Sequence, residues 1–456
     1  MDLVFTLVGS LTLVVLVIGM MFFGRYSLGW ISLPCIMGLT SIVYFYVMPA
    51  ITLEAGENGF LGLYISSLEW LHVAVLLYAL GAFFAMLLQS RILALNPALP
   101  RKQERHVNWY IYAFLLILAV AALGVLVATG KLRFSVLEAS EEYATGSDLL
   151  FLNLFLSMLI PLALIALVRD DFGIRSLVVF SAVLLITVQA AFRYRLVILL
   201  LGALGCYALT RRFKVRLPLV VLGSFVGLIV VNLLGVARYG YGQGVDLALV
   251  GGKTWSELLV SFAGEVGPVY VLAYAADAPL PNRIFLDPWI VGVTRLVPTA
   301  IWPDKPKPDY LSHYIDGFNQ SQALGAGVAA TQHVEMLMQF GWFGLPFLAF
   351  GYFAVAGLLI KSFHRLGREA RIVGCAMAPA FFGFYMQSRG YFFQILSDGL
   401  FIFGPLFLVH LRNKYQGKLR REPERPSAEE VPDFRAGLRR RLYQDAPRFV
   451  RRAWPF

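Results

Sequence analysis

Charge is scarce in this chain. Only 15% of its 456 residues are Asp, Glu, Lys or Arg, against roughly a quarter in a soluble globular domain. With 58% hydrophobic residues, that shortage excludes a soluble protein and a disordered one alike. Cysteine is scarce as well. Cys35, Cys206 and Cys375 are odd in number, far apart and each set inside an apolar run. This excludes a disulfide framework and a cysteine metal site, and reads as small buried hydrophobes. No Walker or Rossmann glycine pattern stands in a strand–helix context, and no His-Glu-x-x-His or Cys–His spacing occurs. Nucleotide and metal chemistry therefore lack support, and no cofactor is implied. Apolar–polar alternation is missing too, which excludes a β-barrel.

What the chain has is long apolar runs, and these must face lipid. They lie at roughly Leu3–Phe23, Leu28–Ile51, Leu68–Leu88, Trp109–Ala128, Leu149–Val168, Leu177–Phe192, Leu196–Leu209, Leu217–Val236, Phe343–Ile360, Val373–Met386 and Phe392–Leu411. At about 20 residues per span, the expectation is an all-α polytopic membrane protein with about eleven transmembrane helices. The first run follows Met1-Asp2 with no basic stretch and no small-residue cleavage site, so it reads as a retained span. Trp255–Ala275 and Ile284–Ile301 are apolar but interrupted by Glu257, Glu265 and Pro268, and by Pro288 and Arg295. They read as interfacial or re-entrant helices; if both spanned, the count would be thirteen.

Orientation follows from the short loops. One set carries Arg25, then Arg91 to Arg105, Arg169 and Arg175, Arg211 to Arg216, and Lys361 to Arg371. The alternate set carries Glu54, Glu57, Glu138, Glu141, Glu142 and Asp148. The N-terminus is therefore expected outside and the C-terminus inside. Four regions result: residues 1–236 with eight spans, 237–342 as one large outer, periplasmic loop, 343–411 with three spans, and 412–456 as a basic cytoplasmic tail. The tail carries 13 basic and 6 acidic residues, most of the net charge of +11. It reads as a topology anchor or an anionic-lipid contact, with no need for nucleic acid.

Several basic residues fall on the outer side, against the rule that set the orientation. Arg193 and Arg195 lie in Phe192-Arg193-Tyr194-Arg195, between two runs with almost no spacer, which predicts a tight hairpin. Arg389 sits in a similar hairpin, Arg238 directly follows a span, and Arg295 and Lys305 flank a proline-rich stretch. One such arginine is most simply an interface anchor. Several at the ends of different spans favour a shared anionic ligand such as a lipid-linked diphosphate, because guanidinium forks bind phosphate oxygens in pairs. His333 and Glu335 stand at the outer entry to a late span, where either could take a proton from a hydroxyl. His313, His72 with Glu69, and the intramembrane Asp398 are further candidates. Tyr239, Tyr241, Trp255 and Trp302 could stack on sugars, though outer aromatics are more often interface belts.

Three motifs carry a family resemblance: Arg193-x-Arg195, Arg295-x-x-Pro298 running into Trp302-Pro303-x-Lys305-Pro306, and Glu335 followed by Phe340-Gly341-x-x-Gly344. With them the chain resembles the bacterial O-antigen and exopolysaccharide repeat-unit polymerases of the Wzy type. The likeness covers about Phe192–Leu345 by motif and the remainder by hydropathy. It implies a GT-C-like fold in the bacterial inner membrane. It implies a metal- and nucleotide-independent glycosyltransferase that joins polyprenyl-diphosphate-linked oligosaccharide units on the outer face. Membrane lipids and a chain-length regulator are the implied partners. Arg193, Arg195, Arg238, Arg295, Lys305 and Arg389 would hold the diphosphate. Tyr239, Tyr241, Trp302 and His313 would contact sugar, and Glu335 or His333 would be the base. The related O-antigen ligases carry a histidine followed by asparagine at this entry; here Val334 follows His333. A ligase is the nearest alternative, and a polysaccharide or lipid transporter the next.

Overall fold

The apolar runs become helices wherever the structure describes them. A computed structural model describes residues 7–24, 28–47, 68–93, 109–128, 150–189, 193–211, 284–294, 301–306, 331–389 and 392–419, with isolated positions between. The principal helices are α1 (Leu7–Phe23), α2 (Leu33–Ile42), α3 (Leu68–Leu88), α4 (Trp109–Ala128), α5 (Leu150–Ser157), α6 (Leu159–Arg169), α7 (Ile174–Gln189), α8 (Arg193–Thr210), α9 (Asp287–Thr294), α10 (Gln332–Phe363), α11 (Arg368–Ala378) and α12 (Phe392–Leu419). Among the described residues there is no strand, only a single bridge between Gly29 and Val215. Ten of the eleven apolar runs correspond to described helical rods, and the run Leu217–Val236 lies outside the described residues. Among the described residues, two helices are long and apolar enough to cross a membrane, Glu69–Leu88 and Gln332–Phe363, beside seven shorter apolar ones.

Proline and π-turns break the rods where the sequence reads as continuous. Pro161 lacks an N–H and crowds the carbonyl of Ser157, and the helix breaks there into α5 and α6. α2 runs on into a π-helical turn, Val43–Val47. α11 does the same at Pro379–Tyr385, followed by the short helix Met386–Arg389. Such π-turns recur at functional sites because they re-aim side chains.

Loops of the basic set meet at one end of the bundle. Leu28 and Ser32, Ile92 and Leu93, and Ile360 and His364 line one small cavity. Trp30 donates its N–H to Val215 at 3.4 Å, and Arg211 pairs with Asp171 at 3.3 Å. The opposite end carries the start of α1, the end of α2 and the start of α3. There Tyr46 donates to the Gly9 carbonyl at 2.9 Å, and the Tyr46 ring stacks on His72 at 4.7 Å. The interior is apolar, with Leu16, Met37, Phe353, Phe363 and Phe381 fully buried. The outward faces are apolar as well: Leu7, Ile18, Ile117, Val178, Phe343, Phe347 and Leu358 are all exposed. Helices apolar on every side are not the amphipathic helices of a water-facing surface.

α10 is two helices, not one. Gly341 has φ 69° and ψ −164°, a conformation open almost only to glycine. The packing tells where the chain goes. The Tyr78 ring on α3 lies 3.9 Å from the His333 ring and 5.9 Å from the Phe353 ring. A straight helix would hold residues 333 and 353 about 30 Å apart. Trp342, just past the break, sits beside Trp70 at 5.6 Å, near the start of α3. So the limb Gln332–Phe340 runs from the middle of α3 toward its start, and the chain then doubles back. The second limb descends along α3, where Gly81 passes so close to the Pro346 carbonyl that a side chain there would collide. Pro346 lacks the N–H that would bond Trp342, which helps the helix restart after the break.

Candidate functional site

The doubled-back limb carries its N-terminal end into the bundle interior. Thr331 to Gln339 are all buried, and Thr331 and His333 are fully so. The limb is pinned at both ends. The Tyr78 hydroxyl donates to Gln332 Oε1 at 2.9 Å, and at its far end Trp289 Nε1 on α9 donates to Gln339 Oε1 at 3.4 Å. Phe285, just before α9, packs edge-on against Phe340 at 5.3 Å.

His72 and His333 are both fully buried with neither ring nitrogen hydrogen-bonded among the described residues, and His333 is the one on the inserted limb. Its ring is held by Tyr78 on one side and Phe45 of the first π-turn on the other, at 4.9 Å, yet neither ring nitrogen has a hydrogen-bond partner. The hydroxyl of Thr331 is equally buried and equally unbonded. Buried polar groups nearly always find partners, and exceptions mark strained or functional sites. Glu335, two residues on, is also buried, but it is engaged by neighbours. The surroundings add polar groups from distant elements. Ser41 Oγ on α2 donates to Gln387 Oε1 at 3.0 Å, and the Gln387 side chain lies within hydrogen-bonding reach of the Tyr78 hydroxyl.

A second polar cluster shares a wall with the first. Arg195 is 3% exposed and Asp398 is 4% exposed. The guanidinium of Arg195 lies over the Tyr194 ring, 5.5 Å from its centroid. Tyr194 stacks on Tyr385 at 4.2 Å, and the Tyr385 hydroxyl donates to Asp398 Oδ2. Arg195 and Asp398 both lie within electrostatic reach of the Tyr194 and Tyr385 hydroxyls. Tyr385 ends the second π-turn, and Gln387 follows two residues later. One short stretch thus faces the guanidinium cluster through Tyr385 and the histidine cluster through Gln387.

The expected hairpin at Arg193 and Arg195 takes a different form, since both residues lie in the first turn of α8. A helix N-terminus disfavours cations, so Arg195 is held there by the groups around it. Arg193 opens α8, and Arg389 ends the short helix after the second π-turn. Lys305 donates from Nζ to the Val297 carbonyl at 2.7 Å, three residues past the end of α9, and Trp302 beside it is exposed. Arg238, Tyr239, Tyr241, Trp255, Arg295 and His313 lie outside the described residues. The sequence did not single out Tyr78, Tyr194, Tyr385, Ser41, Gln387 or Thr331. Among the described residues, no three His, Cys, Asp or Glu side chains gather as a metal ion would require.

No family model matches the chain, and neither the curated proteins nor the solved structures hold a match. The functional reading therefore rests on the geometry and on the motifs.

Proposed function

We propose that this chain is a polytopic membrane glycosyltransferase that joins polyprenyl-diphosphate-linked oligosaccharide repeat units on the outer face of a bacterial inner membrane. Helices apolar on every side and the gathering of basic loops at one end support the membrane reading. One observation carries the chemistry. A fully buried histidine with two unbonded ring nitrogens stands on an inserted helix end, across a shared wall from a buried arginine.

In this reading the acceptor hydroxyl attacks the anomeric carbon of the donor glycan. The bond from that carbon to the diphosphate oxygen breaks, and its electron pair leaves with the lipid diphosphate. His333 takes the hydroxyl proton, since Glu335 is already engaged. A positioned base of this kind is worth about 10²–10⁴-fold in rate. Arg195 holds the departing diphosphate and offsets its charge as the bond breaks, with Arg193 at the same helix end. Direct displacement inverts the anomeric centre.

The test is elongation by the purified chain in liposomes supplied with lipid-diphosphate oligosaccharide. The expected result is a ladder of longer glycans with the native sequence and at least a hundredfold loss with His333→Ala, in line with removal of a general base. Undiminished elongation by His333→Ala would overturn the assignment of the base. An inserted half-helix is also how secondary transporters build central sites, and this favours a carrier as the second reading. A carrier would move the lipid-linked unit across the bilayer and yield no longer product.

A further inference from the structure

We infer that the N-terminal tip of the inserted limb Gln332–Phe340 is a binding site for a phosphate group, and that the donor's diphosphate seats one of its phosphates there. The inference rests on the transferase reading for the identity of the ligand and on the following geometry for the site itself.

A helix begins with backbone N–H groups that have no carbonyl one turn back to bond. Here the Thr331 carbonyl is taken by the N–H groups of Val334 and Glu335, at 3.1 and 3.4 Å. The N–H groups of Gln332 and His333 come earlier and have no carbonyl within the limb. Most buried helix starts solve this with a capping side chain, and threonine is a preferred one. Thr331 occupies the cap position with the extended backbone of a cap, φ −72° and ψ 158°, yet its side chain makes no capping bond. That hydroxyl is fully buried and bonded to nothing. Beside it stand the two unbonded nitrogens of His333. Two backbone N–H groups and a buried hydroxyl thus stand at one helix start with no hydrogen-bond partner among the described residues.

The sign of the field at that point selects the ligand. A helix N-terminus carries the positive end of the macrodipole, and Gln332 and Tyr78 beside it are neutral. Glu335, in the same first turn, already has an interaction of its own. A phosphate oxygen accepts hydrogen bonds and donates none when ionised, and it matches this set of donors. A neutral sugar hydroxyl would gain nothing from the dipole.

Gln332→Glu separates this from a purely structural role. The glutamate keeps a carboxyl oxygen to accept from Tyr78, and a negative charge in the first turn favours the helix itself. A merely structural tip predicts unchanged ligand affinity in the folded protein, whatever the desolvation of the buried carboxylate does to the unfolding temperature. A phosphate site predicts repulsion. The full-length chain in detergent would be titrated with inorganic pyrophosphate, with farnesyl diphosphate and with sulfate, read by calorimetry and by thermal unfolding. Both diphosphates are expected to bind, farnesyl diphosphate more tightly if the lipid-linked form is the true ligand and equally if free pyrophosphate is. Gln332→Glu is expected to abolish binding while the chain still unfolds in one cooperative transition. Thr331→Val is expected to weaken binding about tenfold, as for one lost hydrogen bond to a charged group. Retained pyrophosphate affinity in Gln332→Glu, or no affinity in the native chain, would overturn the site. Glycan elongation alongside either of those results would sink the site and leave the transferase standing. Tip-dependent diphosphate binding without elongation would do the reverse.

Discussion

At the scale of single residues, the site joins groups whose partners are remote in the chain. Tyr78 and Gln332 are 254 positions apart, and Ser41 and Gln387 are 346 apart. His333 and Arg195 stand out in the sequence because a histidine or an arginine inside an apolar context is expensive to keep. Asp398 stands out for the same reason, and its carboxylate accepts from the Tyr385 hydroxyl. The tyrosines do not stand out, since a tyrosine in an apolar run reads as a core or belt aromatic until its hydroxyl is seen to bond. Tyr385→Phe tests how much that bond matters. The ring and its stacking on Tyr194 survive, and only the donor to the Asp398 carboxylate is lost. A hydrogen bond to a charged group contributes about 1.5–3 kcal/mol, so thermal unfolding in detergent should show a loss of that size. Stability equal to the native chain would mean that Asp398 finds another donor and that the cluster is loosely built.

At the scale of elements, the rods were legible and their interruptions were not. Ten apolar runs predicted ten rods, because length and continuity are all that a buried or lipid-facing helix needs. Gly341 sits in a stretch that hydropathy joins seamlessly to the following span, although Phe340-Gly341-x-x-Gly344 could be picked out as a motif. Hydropathy has no term for φ, and the reversal shows in the positive φ at Gly341 and in the packing around Tyr78 and Trp70. The energetic consequence is specific. Gly341→Ala would place a Cβ in a backbone region that costs of order 1–3 kcal/mol for such residues, and relaxing that strain would draw His333 away from Tyr78. Gly124 on α4 provides the contrast, since a Cβ there meets nothing within 4 Å and alanine is favoured over glycine in a helix interior by about 1 kcal/mol. Gly124→Ala is therefore expected to match or exceed native stability, and Gly341→Ala to fall below it and to lose elongation. Equal unfolding temperatures for the two variants would show that the reversal at Gly341 is unstrained by a side chain.

At the scale of the whole molecule, the distribution of charge over the loops decides which end faces which solution. Acidic and basic loops alternate along the sequence, and the structure gathers several basic ones at a single end: Leu28 to Ser32, Ile92 and Leu93, Asp171 with Arg211, Val215 and His364. The inserted limb, Arg195 and the Tyr385–Arg389 stretch belong with the other end, beside the starts of α3 and α8. Positive loops stay with the cytoplasm, so the proposed site should face outward, where a lipid-linked glycan would be presented. Glu69 and Arg175 are both exposed, at the start of α3 and of α7. The native cysteines are buried, so they should contribute little background to thiol labelling. Glu69→Cys should react with an impermeant maleimide in intact cells, and Arg175→Cys only after the membrane is opened. The reverse pattern would turn the bundle over and put the inserted limb beside the cytoplasm. Labelling of both from outside would deny that α3 and α7 begin at opposite faces. Either result would overturn the proposal that glycan transfer takes place on the outer face.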